Sequence, residues 1–376
     1  MEFFAAYFTP VPKTVREKDP EAEHKAIMND LAYMLAAEKA GFKYLLSPEH
    51  HFLDEYSHTA GNFPVFGYLA AKTNRAHLIS GIINPLPQLI HPVRVAEIVA
   101  MLDHLTDGRF EFGTGRGAGS HEVFAFLPGT SDLNATKAIW EDVIGEFPKM
   151  WLQDVYEGHE SQYWQLPPRR ILPRMYKKAH PPMWYAAGNT ASWEMAGRKG
   201  LGVLGFSIQS FRQAEAVVPF YKKGIAEAEP IGAFVNDYLT AFLLPFVSED
   251  EEKAFQWAMS EQAAYYASLL YRYHDTLPRP SGVPLWPELI PTPTREDVRA
   301  LQNIGRLIGT PDRIIEVLKR YEALGIDGIG VGIGTFGEEH AWETIKCFGK
   351  YIIPAFDKDP EFRTDRFRYA ADSLAK

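Results

Sequence analysis

The chain of 376 residues is 46% hydrophobic and 23% charged, the balance of a globular protein with a sizeable core, which excludes a disordered or fibrous chain. Its formal net charge of -9 argues against a nucleic-acid partner, because a polyanion is repelled unless basic residues cluster strongly. Cys347 is the single cysteine, so neither an internal disulfide framework nor a thiolate metal cluster is expected, and a reducing compartment fits.

In chain order, Met1 to Phe8 lack the basic leader and long apolar run of a signal peptide and read as a buried first strand. No stretch approaches the ~18 continuous apolar residues that would cross a bilayer, so a soluble, cytoplasmic protein is expected. Residues 23–39 set Ile27, Leu31, Met34 and Leu35 on one helical stripe, with Gly41 where a helix C-cap glycine belongs. Residues 43–47 form a strand that runs out into Glu49-His50-His51-Phe52. A helix follows at 62–73, a strand at 78–84 and a helix at 92–105. Pro92 takes the first turn of that helix, and Val95, Ile98, Val99, Leu102 and Leu105 make its buried face. Gly108 closes it, and the strand 110–113 leads into Gly113-Thr114-Gly115-Arg116-Gly117-Ala118-Gly119. Later strands at 183–187, 203–206, 239–246 and 328–333 alternate with helices at 192–198, 211–228 and 311–324.

About eight strand and helix pairs make an α/β protein, a (β/α)8 TIM barrel. A doubly wound sheet would want a glycine-rich turn after the first strand, and Thr9-Pro10-Val11-Pro12 is unlike it. Residues 1–376 form one domain with two long insertions, at about 131–182 and 248–309, expected at the C-terminal face of the barrel. The first holds a helical stretch around 140–151 and a basic passage with Arg169, Arg170, Arg174, Lys177 and Lys178, read as a solvated hairpin or loop. The second is dense in aromatics, including Tyr265, Tyr266 and Trp286, and then in prolines from Pro278 to Pro293. It reads as a lid over the mouth or as a subunit interface.

Strand ends are where such a barrel places its chemistry. His50 and His51 offer imidazoles that move protons near neutral pH; adjacent residues at a strand end diverge, so one should face the mouth and the other pack. His91 reads as the residue before a helix-starting proline, and the Asn84 carboxamide can donate to and accept from a heterocycle. Gly115 and its neighbours let backbone approach a ligand, and Arg116 adds a fixed positive fork suited to a phosphate. Gly188, Asn189 and Ser192 open a later helix, where they could hold the same phosphate or simply cap the helix.

These segments, with His91-Pro92-Val93-Arg94, Gly108-Arg109-Phe110, the stretch 187–193, Gly309-Thr310-Pro311 and the closing strand, resemble the bacterial luciferase-like, flavin-dependent monooxygenases over most of the chain. The resemblance implies a barrel that binds reduced FMN and lets it react with O2. It implies that His50 lies beside the flavin and supports its oxygen chemistry, and that Arg116 grips the phosphate together with Gly188, Asn189 and Ser192. It places Asn84 against the ring system near a non-proline cis peptide. Luciferase itself has a cysteine where Gly115 stands and an acidic residue where Gly188 stands, so light emission is not expected. A separate flavin reductase as supplier, a small apolar organic substrate and a homodimer complete the expectation. Three other readings stay open: a deazaflavin-dependent oxidoreductase of the same barrel superfamily, a metal-dependent hydrolase using His50, His51 and His58, and a flavin-binding relative without turnover.

Overall fold

Strands apolar on both faces must be covered on both faces, and the chain meets that demand by closing its sheet inside a shell of helices. A computed structural model describes residues 1–117, 119–206, 208, 210–275 and 279–374; Ala118 and Pro278, both in segments singled out by the sequence, lie outside the described residues. The barrel strands are β1 (Glu2–Ala6), β2 (Tyr44–Ser47), β3 (His77–Ser80), β4 (Phe110–Thr114), β5 (Met183–Ala186), β6 (Gly202–Leu204), β7 (Thr240–Leu243) and β8 (Gly328–Gly332). Their order is β6-β5-β4-β3-β2-β1-β8-β7, and a parallel bridge between Val203 and Leu239 closes the ring.

Alternation along each strand sorts the side chains. Phe4, Ala6, Tyr44, Leu46, Ile79, Trp184 and Leu204 fill the barrel, with Phe4 stacked on Tyr44 at 4.0 Å between ring centroids. Phe3, Ala5, Leu45, Leu78, Phe110 and Phe112 point outward to the helices. Helices Ala22–Ala40, Asn62–Lys72, Pro92–Leu105, Thr190–Arg198, Phe211–Ala226, Pro311–Leu324 and Glu338–Cys347 supply most of that shell. The expected glycine stop is present: Gly41 ends its helix in the left-handed region at φ 109°.

Three local expectations change. The apolar run 239–246 divides into β7 and the short strand Phe246–Val247, which pairs with Ile308–Gly309 in a separate sheet. Pro245 stands at the break, where it has no amide hydrogen to continue the barrel ladder. Leu105 is 53% exposed, because ten residues beyond Val95 it lies about 80° round the helix from it; Ala96, Ala100 and Asp103 bury the other flank instead. The stretch 140–151 is two helices, Ala135–Ile144 and Glu146–Leu152, which meet at Gly145.

The basic passage of the first insertion runs beneath the barrel: the N–H groups of Tyr176 and Lys177 donate to Asp103 Oδ2 at 3.0 and 3.2 Å. The C-terminal helix Arg363–Leu374 seals the same end. Its Arg368 guanidinium donates to both Asp103 oxygens at 2.8 and 2.9 Å, and both side chains are buried. Removing one partner of a buried ion pair strands the other charge, at a cost of about 3–5 kcal/mol. Asp103→Ala should lower the unfolding free energy in urea by that amount, and a loss under about 1 kcal/mol would show the pair to be solvated.

Candidate active site

At the C-terminal ends of the strands a cavity of about 220 Å³ opens, lined by His50, His51, Asn84, Arg116 and Gly188 among others. The sequence segments that resembled a cofactor site thus converge on one space. β2 ends at Ser47, and the chain beyond it bends, with Phe52 at φ 64°. The alternation rule therefore stops before Glu49, and both imidazoles line the cavity instead of diverging.

Glu122, from the short helix Ser120–Phe126, organises the pair. One of its carboxylate oxygens takes the His51 backbone N–H at 2.8 Å and lies 3.2 Å from His50 Nδ1. Burial works against charge on Glu122, but His50 and the His51 amide outweigh it and hold the carboxyl below its usual value. His274 comes from the second insertion, with its ring 5.8 Å from that of His50. Burial, reinforced by repulsion from His50, pushes its imidazole down to about 3, so it is uncharged at neutral pH. Burial likewise lowers His51. The sequence did not reveal Glu122, His274 or Tyr56, all of which line the cavity. Glu49, inside the quoted motif, and Tyr266, among the aromatics of the second insertion, were in plain view, and Tyr266 stacks on Tyr56.

Arg116 lines the same cavity; its Nε donates to Tyr185 Oη at 3.1 Å, and the Tyr185 ring is braced edge-on by Trp140 at 4.7 Å. Among the described residues no carboxylate pairs with Arg116. Gly115 gives close packing: a Cβ there would lie 2.6 Å from Ile82 Cδ1, so Ile82 fills the space that a larger residue would take. A non-proline cis peptide joins Gly81 to Ile82, and Asn84 follows with a buried Oδ1 that has no partner among the described residues.

Gly188 reaches the cavity, but Asn189 and Ser192 form a reciprocal capping box at the start of helix Thr190–Arg198. The Ser192 hydroxyl takes the N–H groups of Gly188 and Asn189 at 3.2 and 3.0 Å. His91 caps its own helix by accepting from the Val93 N–H at 3.2 Å. His58 is 2.7 Å from Glu23 Oε1 and does not line the cavity. Among the described residues no three His, Cys, Asp or Glu side chains are grouped to hold a metal, which removes the ligand set His50, His51 and His58.

Imidazoles, carboxyls and a guanidinium with no carboxylate partner among the described residues thus line one cavity at a barrel mouth, where such folds place their active sites. The sequence profile described as luciferase-like monooxygenase matches residues 3–328. The chain belongs to that family, and with it to the flavin-dependent monooxygenases. A curated relative from Acinetobacter baylyi, the oxygenase component of a flavin-dependent trigonelline monooxygenase, is 27% identical over 344 residues, covering 88% of this chain and 89% of its own. Among solved structures, the monooxygenase RslO1 from Streptomyces bottropensis has a TM-score of 0.73 at 21% identity, covering 95% of this chain and 100% of its own. The oxygenating constituent of 3,6-diketocamphane monooxygenase from Pseudomonas putida, in complex with FMN, has a TM-score of 0.70 at 16% identity, with coverage of 94% and 98%. An F420-dependent secondary alcohol dehydrogenase shares the fold at a TM-score of 0.67 and 15% identity, with coverage of 95% and 100%.

Burial lifts the Glu49 carboxyl from 4.5 to about 7, against the Gly61 N–H and His50, which favour its charge. Between those values the folded protein keeps a proton that the unfolded chain has released. This contribution to stability is therefore complete below 4.5 and is lost as pH rises through about 7. Glu49→Gln should abolish that dependence, gaining about 2–3 kcal/mol relative to wild type between about pH 4 and about pH 8 in urea unfolding. An equal difference at both pH values would show that Glu49 is not desolvated.

Proposed function

We propose that the chain is the oxygenase of a two-component system that uses reduced FMN and O2 to oxygenate a small, apolar organic substrate. The observation that carries this reading is Arg116, a cavity-lining guanidinium without a carboxylate partner among the described residues, facing a space that also holds the orphaned Asn84 Oδ1. The pair fits a phosphorylated heterocycle: Arg116 would take the phosphate, with Gly188 and the helix start at Asn189 and Ser192 beside it, and Asn84 the ring edge. Because the capping box already uses the Gly188 and Asn189 N–H groups, Asn189 and Ser192 would act mainly by holding that helix start in place. Gly115, packed against Ile82 and not part of the cavity lining, would serve by seating the loop that presents Arg116. Reduced flavin, when bound, supplies the two electrons that let one oxygen atom enter the substrate while the other leaves as water.

His50 moves the proton in this reading. With Nδ1 turned to Glu122, the Nε2 nitrogen serves the cavity side as acid or base. Phe8, Leu89, Phe126, Phe242, Leu244 and Leu270 supply apolar walls, which suit an apolar substrate and exclude water from the reacting atoms. A separate reductase as electron source is supported by the description of the Acinetobacter relative as an oxygenase component, and by the absence of a dinucleotide-type glycine turn after β1. The likeness to an F420-dependent dehydrogenase keeps a deazaflavin as the second reading. Oxygen uptake with reduced FMN supports the first reading, and anaerobic hydride transfer from reduced F420 supports the second.

Arg116→Ala should weaken reduced FMN binding by about 2–4 kcal/mol and leave riboflavin, which lacks the phosphate, nearly unaffected. A parallel loss for both flavins would remove Arg116 from the phosphate. His50→Ala should keep flavin affinity within about tenfold of wild type and slow product formation roughly 100-fold or more. Unchanged turnover, or an equal effect from His51→Ala, would take His50 out of the mechanism.

A further inference from the structure

The second insertion is anchored at two places, and between them one buried imidazole nitrogen has no partner among the described residues. Helix Glu261–Tyr273 lies on the loop after β2: the Tyr265 hydroxyl donates to Glu55 at 2.5 Å, and the Tyr273 hydroxyl donates to the Asp54 carbonyl at 3.0 Å. The Tyr56 and Tyr266 rings stack at 5.0 Å. Just beyond, the Asp275 carboxylate accepts the Ser120 N–H at 3.0 Å and so caps the helix that carries Glu122. The approach is close enough to require glycine at position 119, where a Cβ would lie 2.2 Å from the Tyr273 carbonyl oxygen.

His274 sits between these anchors. Its backbone N–H donates to the Leu270 carbonyl at 2.9 Å. Its ring stands edge-on to His50 and to Tyr56, at 5.8 and 5.2 Å between centroids. It lines the cavity, and its buried Nε2 has no partner among the described residues. Leaving such an atom unpaired costs about 1–3 kcal/mol, a cost that a ligand atom can relieve. His51 Nε2 is a second ring nitrogen at this cavity that is buried without a hydrogen-bond partner among the described residues, whereas His50 is turned to Glu122 through Nδ1.

We propose that His274 is a specificity-determining residue supplied by the insertion, its Nε2 holding a carbonyl or hydroxyl oxygen of the substrate beside His50. The proposal rests on the monooxygenase function proposed above. An uncharged imidazole suits an uncharged oxygen better than a carboxylate, which a cation would bind more strongly. A site built around one such hydrogen bond discriminates against the hydrocarbon analogue, because the analogue leaves the nitrogen unpaired.

The test uses the full chain with reduced FMN, O2 and four probes of matched length: decanal, a decanone, decanol and decane. Wild type should turn over at least one oxygen-bearing probe and discriminate against decane. His274→Ala should raise KM for that probe about tenfold or more without changing FMN affinity, and His274→Gln, which keeps a hydrogen-bonding group, should recover part of the loss. In the oxidised FMN complex, the ¹⁵N resonance of His274 Nε2 should move when that probe is added and stay in place with decane. Decane used as well as the oxygen-bearing probes, an unchanged KM in His274→Ala, or a parallel fall in FMN affinity would each overturn the proposal. Absence of reduced-FMN-dependent oxygen uptake in wild type would strike the proposed function instead. The nitrogen resonance would then decide the role of His274 by itself, and no movement with any oxygen-bearing probe would overturn it.

Discussion

A carboxylate with no exposure inside a barrel has to be fully hydrogen-bonded, and Glu111 on β4 meets that demand in a way that organises the closed end of the molecule. One oxygen takes His77 and the Thr364 hydroxyl, each at 2.6 Å, and the other takes the Trp184 indole N–H at 2.6 Å. These partners come from β3, from the C-terminal helix and from β5. Glu2 repeats the pattern on β1, accepting from Lys43 at 2.7 Å and from the Tyr44 and Tyr238 hydroxyls at 3.0 and 2.7 Å. Burial alone would pull His77 down, yet its contacts with Asp365 and Glu111 lift it to about 9, so it stays charged at neutral pH and the cluster is paired. Phe362 stacks on the His77 ring at 4.2 Å and completes the seal. With one end closed by this buried network, the cavity opens at the other.

That open end is assembled from two kinds of part. The loops after β2, β3, β4 and β5 bring His50, Asn84, Arg116 and Gly188 to fixed positions because their strands are held in register. Glu122, Tyr266 and His274 arrive on helices or at a helix end, and their placement depends on docking. The division has a chemical consequence. In the proposed function, the guanidinium and the carboxamide that would take the cofactor belong to the rigid scaffold, whereas the groups that contact His50 and would meet a substrate belong to parts added over it. A common cofactor grip with variable substrate contacts is the arrangement that lets one barrel serve many reactions.

The sequence exposed the first kind of part and concealed the second for a physical reason. Apolar runs with glycine and proline at their ends mark strands and helices locally, so Pro92–Leu105 and Pro311–Leu324 were legible to the residue. Glu49-His50-His51 and Gly115-Arg116-Gly117 are contiguous and follow such strands, so they were legible as well. Glu122 is 72 residues from the His50 it contacts, and His274 lies in a stretch whose aromatic density pointed equally to a lid and to an interface. No local pattern encodes such a pairing. The sealing helix was missed for the same reason: Arg368 meets Asp103 across 265 residues, and in sequence it is one more charged residue in a polar stretch.

The aromatic residues of the second insertion now have partners within their own chain, which bears on how ligands pass. Leu53, Tyr56, Tyr266, Leu269, Tyr273 and Phe336 form one buried cluster, so these side chains need no second subunit to cover them. Lifting helix Glu261–Tyr273 as a body would break two hydroxyl hydrogen bonds and an aromatic stack and expose that cluster, several kcal/mol in all. The proline-rich stretch that follows is held far more lightly: Arg272 lies over the Trp286 ring at 4.5 Å, the Ile290 N–H donates to Ser268, and Leu285 and Leu289 are exposed. None of the described residues 279–294 lines the cavity, so a displacement of this stretch leaves His274 and the Asp275 cap seated against the Glu122 helix. The residues that hold the cavity's imidazole and carboxylate together and the lightly held prolines therefore fall on different sections of one insertion.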